Sequence, residues 1–242
     1  MIPVTAVVNS SLTWKQQVLP FTIDSDQSLS RFFPGHNAEA LAAARLTSAM
    51  QGEWLLFLWG HAGTGKSHLL QGACEWAFAQ GFRAIYVPLK TLAAYRHDVL
   101  DNLEEHDLVC LDDLDSILPS PEWEVAIFNL FNRIHSNHHH LMVTASALPS
   151  QLNFFLPDLR SRIGWGLALK MQAPDDTTLT SILQQRGIEL GLELSPAVIR
   201  YLLTHCPREP RYLLDLLQQL DQASLSAQRD ISVPFIKSFL ES

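Results

Sequence analysis

The sequence predicts an α/β core built on a parallel five-stranded sheet and followed by a small all-α domain. Three observations lead there. Short apolar runs alternate with helix-period segments between residues 54 and 171, a glycine-rich turn joins the first run to the first helix, and beyond residue 171 the strand-type runs stop. Strands separated by helices imply parallel pairing with both sheet faces covered, which is why the strands read as nearly unbroken apolar runs.

In chain order the strands are WLLFLW (54–59), FRAIYVP (82–88), DLVCLD (107–112), LMVTAS (141–146) and GLALKM (166–171). The segments 67–80, 91–103, 121–137 and 156–163 carry helical spacing between them. Gln172-Ala173-Pro174-Asp175 marks a boundary, and the chain beyond it is helical: 176–186, a helix opening at Ser195-Pro196, one from Glu209 through Ala227, and a last one after Ser232. Ser before Pro is a start signal, because the hydroxyl accepts an orphan backbone N–H while Pro loses nothing at the first helical position. The expected organisation is a tail over 1–24, the α/β core over 25–171 and the helical domain over 172–242.

With 242 residues, 47% of them hydrophobic, the chain can bury a full core. Its longest nearly uncharged apolar stretch, 54–59, falls far short of the ~20 residues that cross a bilayer. Residues 1–12 lack the basic flank and long apolar run of a secretion signal, so a cytoplasmic protein with no membrane partner is expected. The cysteines, Cys74, Cys110 and Cys206, have no metal-type spacing and read as reduced, buried thiols. A net charge of −8 argues against a chain that grips nucleic acid unaided, since phosphate neutralisation needs clustered Lys and Arg; contact with DNA should run through a partner.

Gly60-His61-Ala62-Gly63-Thr64-Gly65-Lys66-Ser67 satisfies G-x-x-x-x-G-K-[ST] between a predicted strand and a predicted helix. Gly60, Gly63 and Gly65 let the backbone curl so that N–H groups, including those of Thr64 and of the helix start at Ser67 and His68, face phosphate oxygens. Lys66 can reach the β- and γ-phosphates and Ser67 can hold Mg²⁺. A matching carboxylate pair closes the third strand: Asp112 to hold Mg²⁺ and Asp113 to orient or polarise a water. Alone, two aspartates after a strand more often cap a helix; downstream of a phosphate loop they become the acidic partner.

From about Phe21 to the C-terminus the chain resembles the AAA+ ATPases, and within them the DnaA replication initiators. FFPGHNAEALAAA (32–44) is similar to the segment that packs against adenine, which implies roles at the nucleotide for Phe33, Gly35 and Asn37; Arg31 with Phe32-Phe33 reads equally as pocket rim or as core. Asp112-Asp113 matches the DnaA form of the acidic motif. SRIGWGL (161–167) resembles a distinctive DnaA segment and makes Arg162 the counterpart of the arginine finger, while PREPRYLLDLL (207–217) resembles the start of the lid helix and puts Arg211 in the sensor 2 role. The sensor 1 place falls at Ser146, where DnaA has aspartate.

A DnaA initiator continues into a helix-turn-helix domain and begins with a large N-terminal domain; the expectation here is an AAA+ core and lid with neither, which is what the Hda family looks like. That resemblance implies an adenine nucleotide, ADP sooner than ATP, with Mg²⁺. It also implies a protein that joins the DNA-loaded sliding clamp, the β subunit of DNA polymerase III, and promotes hydrolysis of DnaA-bound ATP, and so acts as a negative regulator of replication initiation. WKQQVLPF (14–21) resembles a clamp-binding peptide: Gln16 would hydrogen-bond at the pocket mouth, Leu19 and Phe21 would insert, and Pro20 would limit the ordering cost. One such peptide binds weakly, so a homodimer or higher self-association presenting several tails is expected. A helicase-loader-like core and a free-standing ATPase motor are the competing readings. The run His135, His138, His139, His140 is expected to be a solvated loop, and Trp123, Phe128 and their neighbours a core face.

Overall fold

The computed structural model describes residues 28–240. Five strands pair in parallel, β1 (Leu55–Trp59), β2 (Ala84–Pro88), β3 (Leu108–Asp112), β4 (His140–Ala145) and β5 (Leu167–Lys170), in the spatial order β2-β3-β4-β1-β5. Side chains alternate across the sheet. Leu55, Phe57, Val109, Leu111, Leu141 and Val143 enter one core, while Leu56, Leu58, Leu108, Cys110 and Met142 enter the other. α4 (Pro121–Ser136) and α5 (Pro157–Ile163) cover the first face; α1 (Ala38–Ser48) and α2 (Lys66–Ala79) cover the second. Only β5, at the sheet edge, leaves most of its residues exposed.

Two elements differ from the sequence reading. The helix expected over 91–103 is a single turn, α3 (Leu89–Leu92), followed by 3-10 turns at His97–Leu100 and Leu103–Glu105, with Asn102 at φ 64° between them. Leu89, Leu92, Leu100 and Leu103 are all buried, so the apolar spacing is real, but separate turns deliver it. Conversely, α1 was not foreseen. Its sequence AEALAAARLTS is rich in the best helix former, yet alanine gives little contrast between faces and so leaves a faint period.

Four further helices, α6 (Asp176–Leu190), α7 (Pro196–His205), α8 (Pro210–Ala227) and α9 (Val233–Leu240), bury a third core of their own around Leu183, Leu202, Leu217 and Ile236. Ser195 Oγ accepts from Val198 N at 3.3 Å with Pro196 at the first position of α7, and Asp175 caps α6 by accepting from Thr178 N at 2.7 Å. α6 runs four residues past its expected end and stops at Gly191, whose φ of 72° is the left-handed turn glycine allows. Among the described residues no helix is long and apolar enough to cross a membrane, and the three cysteines are free and buried.

Two polar ties set how these layers meet. Asn37 at the entry to α1 donates through Nδ2 to Gln172 O (2.9 Å) and accepts at Oδ1 from Gln172 N (2.8 Å), fixing the connector between β5 and α6. Glu124, fully buried on α4, accepts from Ser120 N (3.2 Å), Phe155 N (3.0 Å) and Leu156 N (2.7 Å), anchoring the loop that leads into α5. Glu124→Gln keeps the shape but turns N–H groups toward those donors, leaving buried backbone unsatisfied. Chemical denaturation is expected to show a loss of about 1–3 kcal/mol; an unchanged midpoint would mean that this carboxylate is not what anchors the loop.

Candidate functional site

The phosphate loop lies between β1 and α2, and its shape comes from its glycines. Gly63 (φ 76°) and Gly65 (φ 92°) adopt left-handed backbone, and a Cβ on Gly65 would stand 2.8 Å from the Phe32 ring. Thr64 Oγ1 braces the loop by donating to His61 O at 2.9 Å. Gly65 is the N-cap of α2 and no side chain caps that end, so the orphan N–H groups of the first turn face the loop, as an anion site requires. Lys66 is 7% exposed and donates through Nζ to Gly60 O (2.7 Å) and His61 O (2.9 Å). Burial lowers its pKa, against the opposing pull of Asp113, Asp112 and Asp115.

Those carboxylates come from the end of β3. Asp112 is 3% exposed; its Oδ2 accepts from Tyr86 Oη at 2.6 Å and its Oδ1 from Thr144 Oγ1 at 2.5 Å. Thr144 in turn accepts from Asp113 N at 2.8 Å. Burial, then the Asp112 charge, raises the Tyr86 pKa well above that of an ordinary phenol, so this group stays protonated and donates. Asp113 sits at φ 56°, and burial followed by Asp112 raises its pKa against the opposing Lys66 charge. Ser146, just past β4, donates its backbone N–H to Asp115 Oδ1 at 3.1 Å. Tyr86 and Thr144 escaped the sequence reading, although a threonine in the apolar run of β4 was the available signal.

Ser67, on the first turn of α2, and the buried Asp112, at the end of β3, carry the oxygen ligands a hard cation prefers and are the residues that would hold Mg²⁺. Among the described residues no three His, Cys, Asp or Glu side chains converge as a metal cage, so the ion would draw its remaining oxygens from phosphate and water. When bound it would offset the charge between phosphate oxygens.

Phe32 lies against the loop at Gly65, while the expected adenine-side residues have other partners. His68 Nε2 is 3.0 Å from Ser28 O and meets Phe32 edge-on at 5.3 Å; Phe33 is half-buried beside it. Gly35 (φ 47°) is pressed to the helical domain, since a Cβ there would stand 2.6 Å from Thr178 Oγ1. Asn37 commits both side-chain polar groups to Gln172. From the helical side, Glu209 at the start of α8 comes within 3.7 Å of a Cβ built on Gly63, and Arg211 stands close behind it, exposed, on the first turn.

Arg162 is elsewhere. It ends α5, on the sheet face opposite α2, half-buried between the Phe128 and Trp165 rings at 5.0 Å and 5.1 Å from their centroids. Among the described residues no contact joins it to the phosphate loop. Gln16, Leu19, Pro20 and Phe21 lie outside the described residues. The histidine run is less solvated than expected: His140 opens β4 at 9% exposure with burial lowering its pKa, His139 Nδ1 is 2.9 Å from Glu104 O, and His135 packs on Trp54 at 4.7 Å.

Comparison with known proteins shows the same division. Residues 23–170 match the family model of the bacterial DnaA ATPase domain, and residues 175–240 match that of the Hda lid domain. The AMPPCP-bound DnaA of Aquifex aeolicus is similar at 25% identity and a TM-score of 0.71, over 82% of this chain and 66% of that one. This chain thus spans about two thirds of that relative. Domain III of Thermotoga maritima DnaA superposes with a TM-score of 0.76 at 21% identity, over 90% and 99% of the two chains. The Thermotoga maritima RuvB Holliday junction branch migration motor shares the fold at 15% identity and a TM-score of 0.67, over 89% and 71%. A phosphate loop and acidic pair on a five-stranded parallel sheet, with a helical lid reaching over them, are thus the parts of a known architecture. The chain belongs to the DnaA-homologous AAA+ family and carries a lid of the Hda type.

Proposed function

We propose that this chain is a nucleotide-dependent regulator that acts on a DnaA-type initiator. An adenine nucleotide, ADP as the resident form, with Mg²⁺, sits on the phosphate loop between core and lid, with Arg211 reading its phosphates from α8. The protein joins the DNA-loaded sliding clamp through residues 16–21, reaches DNA only through that partner, self-associates, and works in the cytoplasm. There it supplies Arg162 to the ATP of a neighbouring DnaA, switching the initiator toward its inactive form. The AMPPCP on the Aquifex relative supports the nucleotide reading.

The observation that carries the reading is the setting of Arg162. A cation held between two aromatic rings at the end of α5, with α5 packed on the face away from the phosphate-loop helix, supports supply to a neighbour's phosphate over its own. Trp165 is 57% exposed, so the guanidinium sits at a surface a second molecule can cover. An arginine supplied across an interface is worth ~10³ to 10⁵ in rate. In this account the chain's own nucleotide holds core and lid in one arrangement and is not fuel.

Arg162→Ala is expected to leave nucleotide and clamp binding intact and to lower stimulated hydrolysis by DnaA by ~10³ or more. Stimulation that survives the change would refute the finger role. Replacing Leu19 and Phe21 together by Ala should remove retention on the clamp in a pull-down while leaving the melting temperature unchanged, whereas a drop in melting temperature would show that the segment packs on its own core.

Asp113 gives a pH-dependent test. Its raised pKa means the folded protein holds that proton more tightly than the unfolded chain, whose reference value is 3.8. The corresponding stability is complete below pH 3.8 and is lost as pH rises through the raised value. Asp113→Asn also suits the left-handed backbone there. The variant is expected to melt above wild type at pH 7 and to lose that advantage below pH 3.8, with whatever ATP turnover the chain has on its own removed. Equal melting temperatures at pH 7 would contradict the assignment.

A further inference from the structure

Both oxygens of the Asp112 carboxylate are held by hydroxyl donors from the strands on either side. Thr144 comes directly after Val143, which pairs with Leu111, so its hydroxyl arrives level with Asp112 and donates to Oδ1 at 2.5 Å. Tyr86 pairs with Cys110, two residues earlier, and its longer side chain runs along β3 to donate to Oδ2 at 2.6 Å. Because the Asp113 N–H already points at Thr144 Oγ1, the Thr144 proton is directed to Asp112. Gln71 of α2 lies within hydrogen-bonding reach of the Tyr86 hydroxyl, so the chain of contacts begins on the helix that carries the phosphate loop. Hydroxyl-to-carboxylate bonds of this length are of the stronger, charge-assisted kind.

A carboxylate placed beside a phosphate loop has a second claimant. An oxygen that accepts a phenol proton offers less charge to a cation and to that cation's water shell. We infer that Tyr86 is a positioning residue that competes with magnesium for Asp112 and thereby restrains how strongly the ion of a bound nucleotide is held. The inference rests on the nucleotide reading proposed above and deepens it. Deleting the hydroxyl leaves Oδ2 buried without its donor, a condition that proteins avoid and that an arriving hydrated cation relieves. By the same competition, Tyr86 acts on the ion only through Asp112, to which its hydroxyl is bonded.

The test compares wild type with Tyr86→Phe, which keeps the ring, by titrating fluorescent ADP and ATP in EDTA and then against Mg²⁺. Expected are equal nucleotide affinities in EDTA, within about twofold, and a magnesium half-saturation point about tenfold lower in the variant, equivalent to about 1.4 kcal/mol. The melting temperature gained on adding Mg²⁺ with nucleotide should be larger in the variant than in wild type, because only there does the ion satisfy an orphaned oxygen. Gln71→Leu, which removes the group behind Tyr86 without touching Asp112, should move the magnesium midpoint the same way by about twofold; it stands in should Tyr86→Phe fold poorly. A lowered melting temperature with an unchanged magnesium midpoint would make Tyr86 a purely structural partner and overturn the inference. A raised midpoint would overturn it too, by showing that Tyr86 helps to hold the ion. Failure of wild type and variant alike to bind either nucleotide, with or without Mg²⁺, would instead remove the nucleotide reading itself.

Discussion

A negative charge buried at the carboxyl edge of the sheet is the constraint on which the rest of this structure depends. Asp112 is 3% exposed, and an unpartnered carboxylate in that position would cost several kcal/mol. Its partners are supplied from three places: Tyr86 on β2, Thr144 on β4, and the nearby ammonium of Lys66 on the phosphate loop. Each has to arrive with its strand in a particular register, because a slip of one residue would turn either hydroxyl to the opposite face. The parallel order β2-β3-β4-β1 brings those groups to one edge, with the loop after β1 folded over them. Fold and site are the same arrangement seen at two scales.

The two faces of the sheet then divide the work. α2 and the segment around Phe32 press on the phosphate loop from one side, and the lid reaches it through Glu209. On the other side α4 and α5 carry a surface of aromatic side chains around Arg162, and the buried Glu124 carboxylate fixes the loop that delivers α5. Core and lid meet through close approaches at Gly35, Asn37 and Gly63, while Arg162 lies on the opposite face of the sheet. That separation is what the proposed regulation asks for, with a nucleotide site on one face and an arginine for another molecule on the other.

Much of this was legible in the residues. The phosphate loop, the acidic pair and the alternation of strands and helices are local patterns, and local patterns are what a single sequence displays. What stayed hidden was set by pairing across the chain. Tyr86 and Thr144 become site residues only because the register of β2, β3 and β4 aims them at Asp112, and nothing in AIYVP or HLMVTA states that register. The tie of the Asn37 side chain to Gln172, far along the chain, is likewise set by the fold and not displayed by the local sequence. The expected helix over 91–103 failed for a related reason: its three buried leucines, Leu92, Leu100 and Leu103, satisfy helical spacing and a series of tight turns equally well. α1 was missed because alanine propensity leaves no amphipathic trace.

The most direct test of the proposed regulation is a single-turnover measurement on DnaA preloaded with labelled ATP, mixed with this chain, sliding clamp and DNA, beside a parallel assay of this chain with ATP alone. DnaA-bound ATP should be converted to ADP far faster in the complete mixture than when any one component is left out, while the chain alone turns over slowly. Brisk hydrolysis by the chain in isolation, with no acceleration on DnaA, would contradict that regulation and favour a free-standing motor.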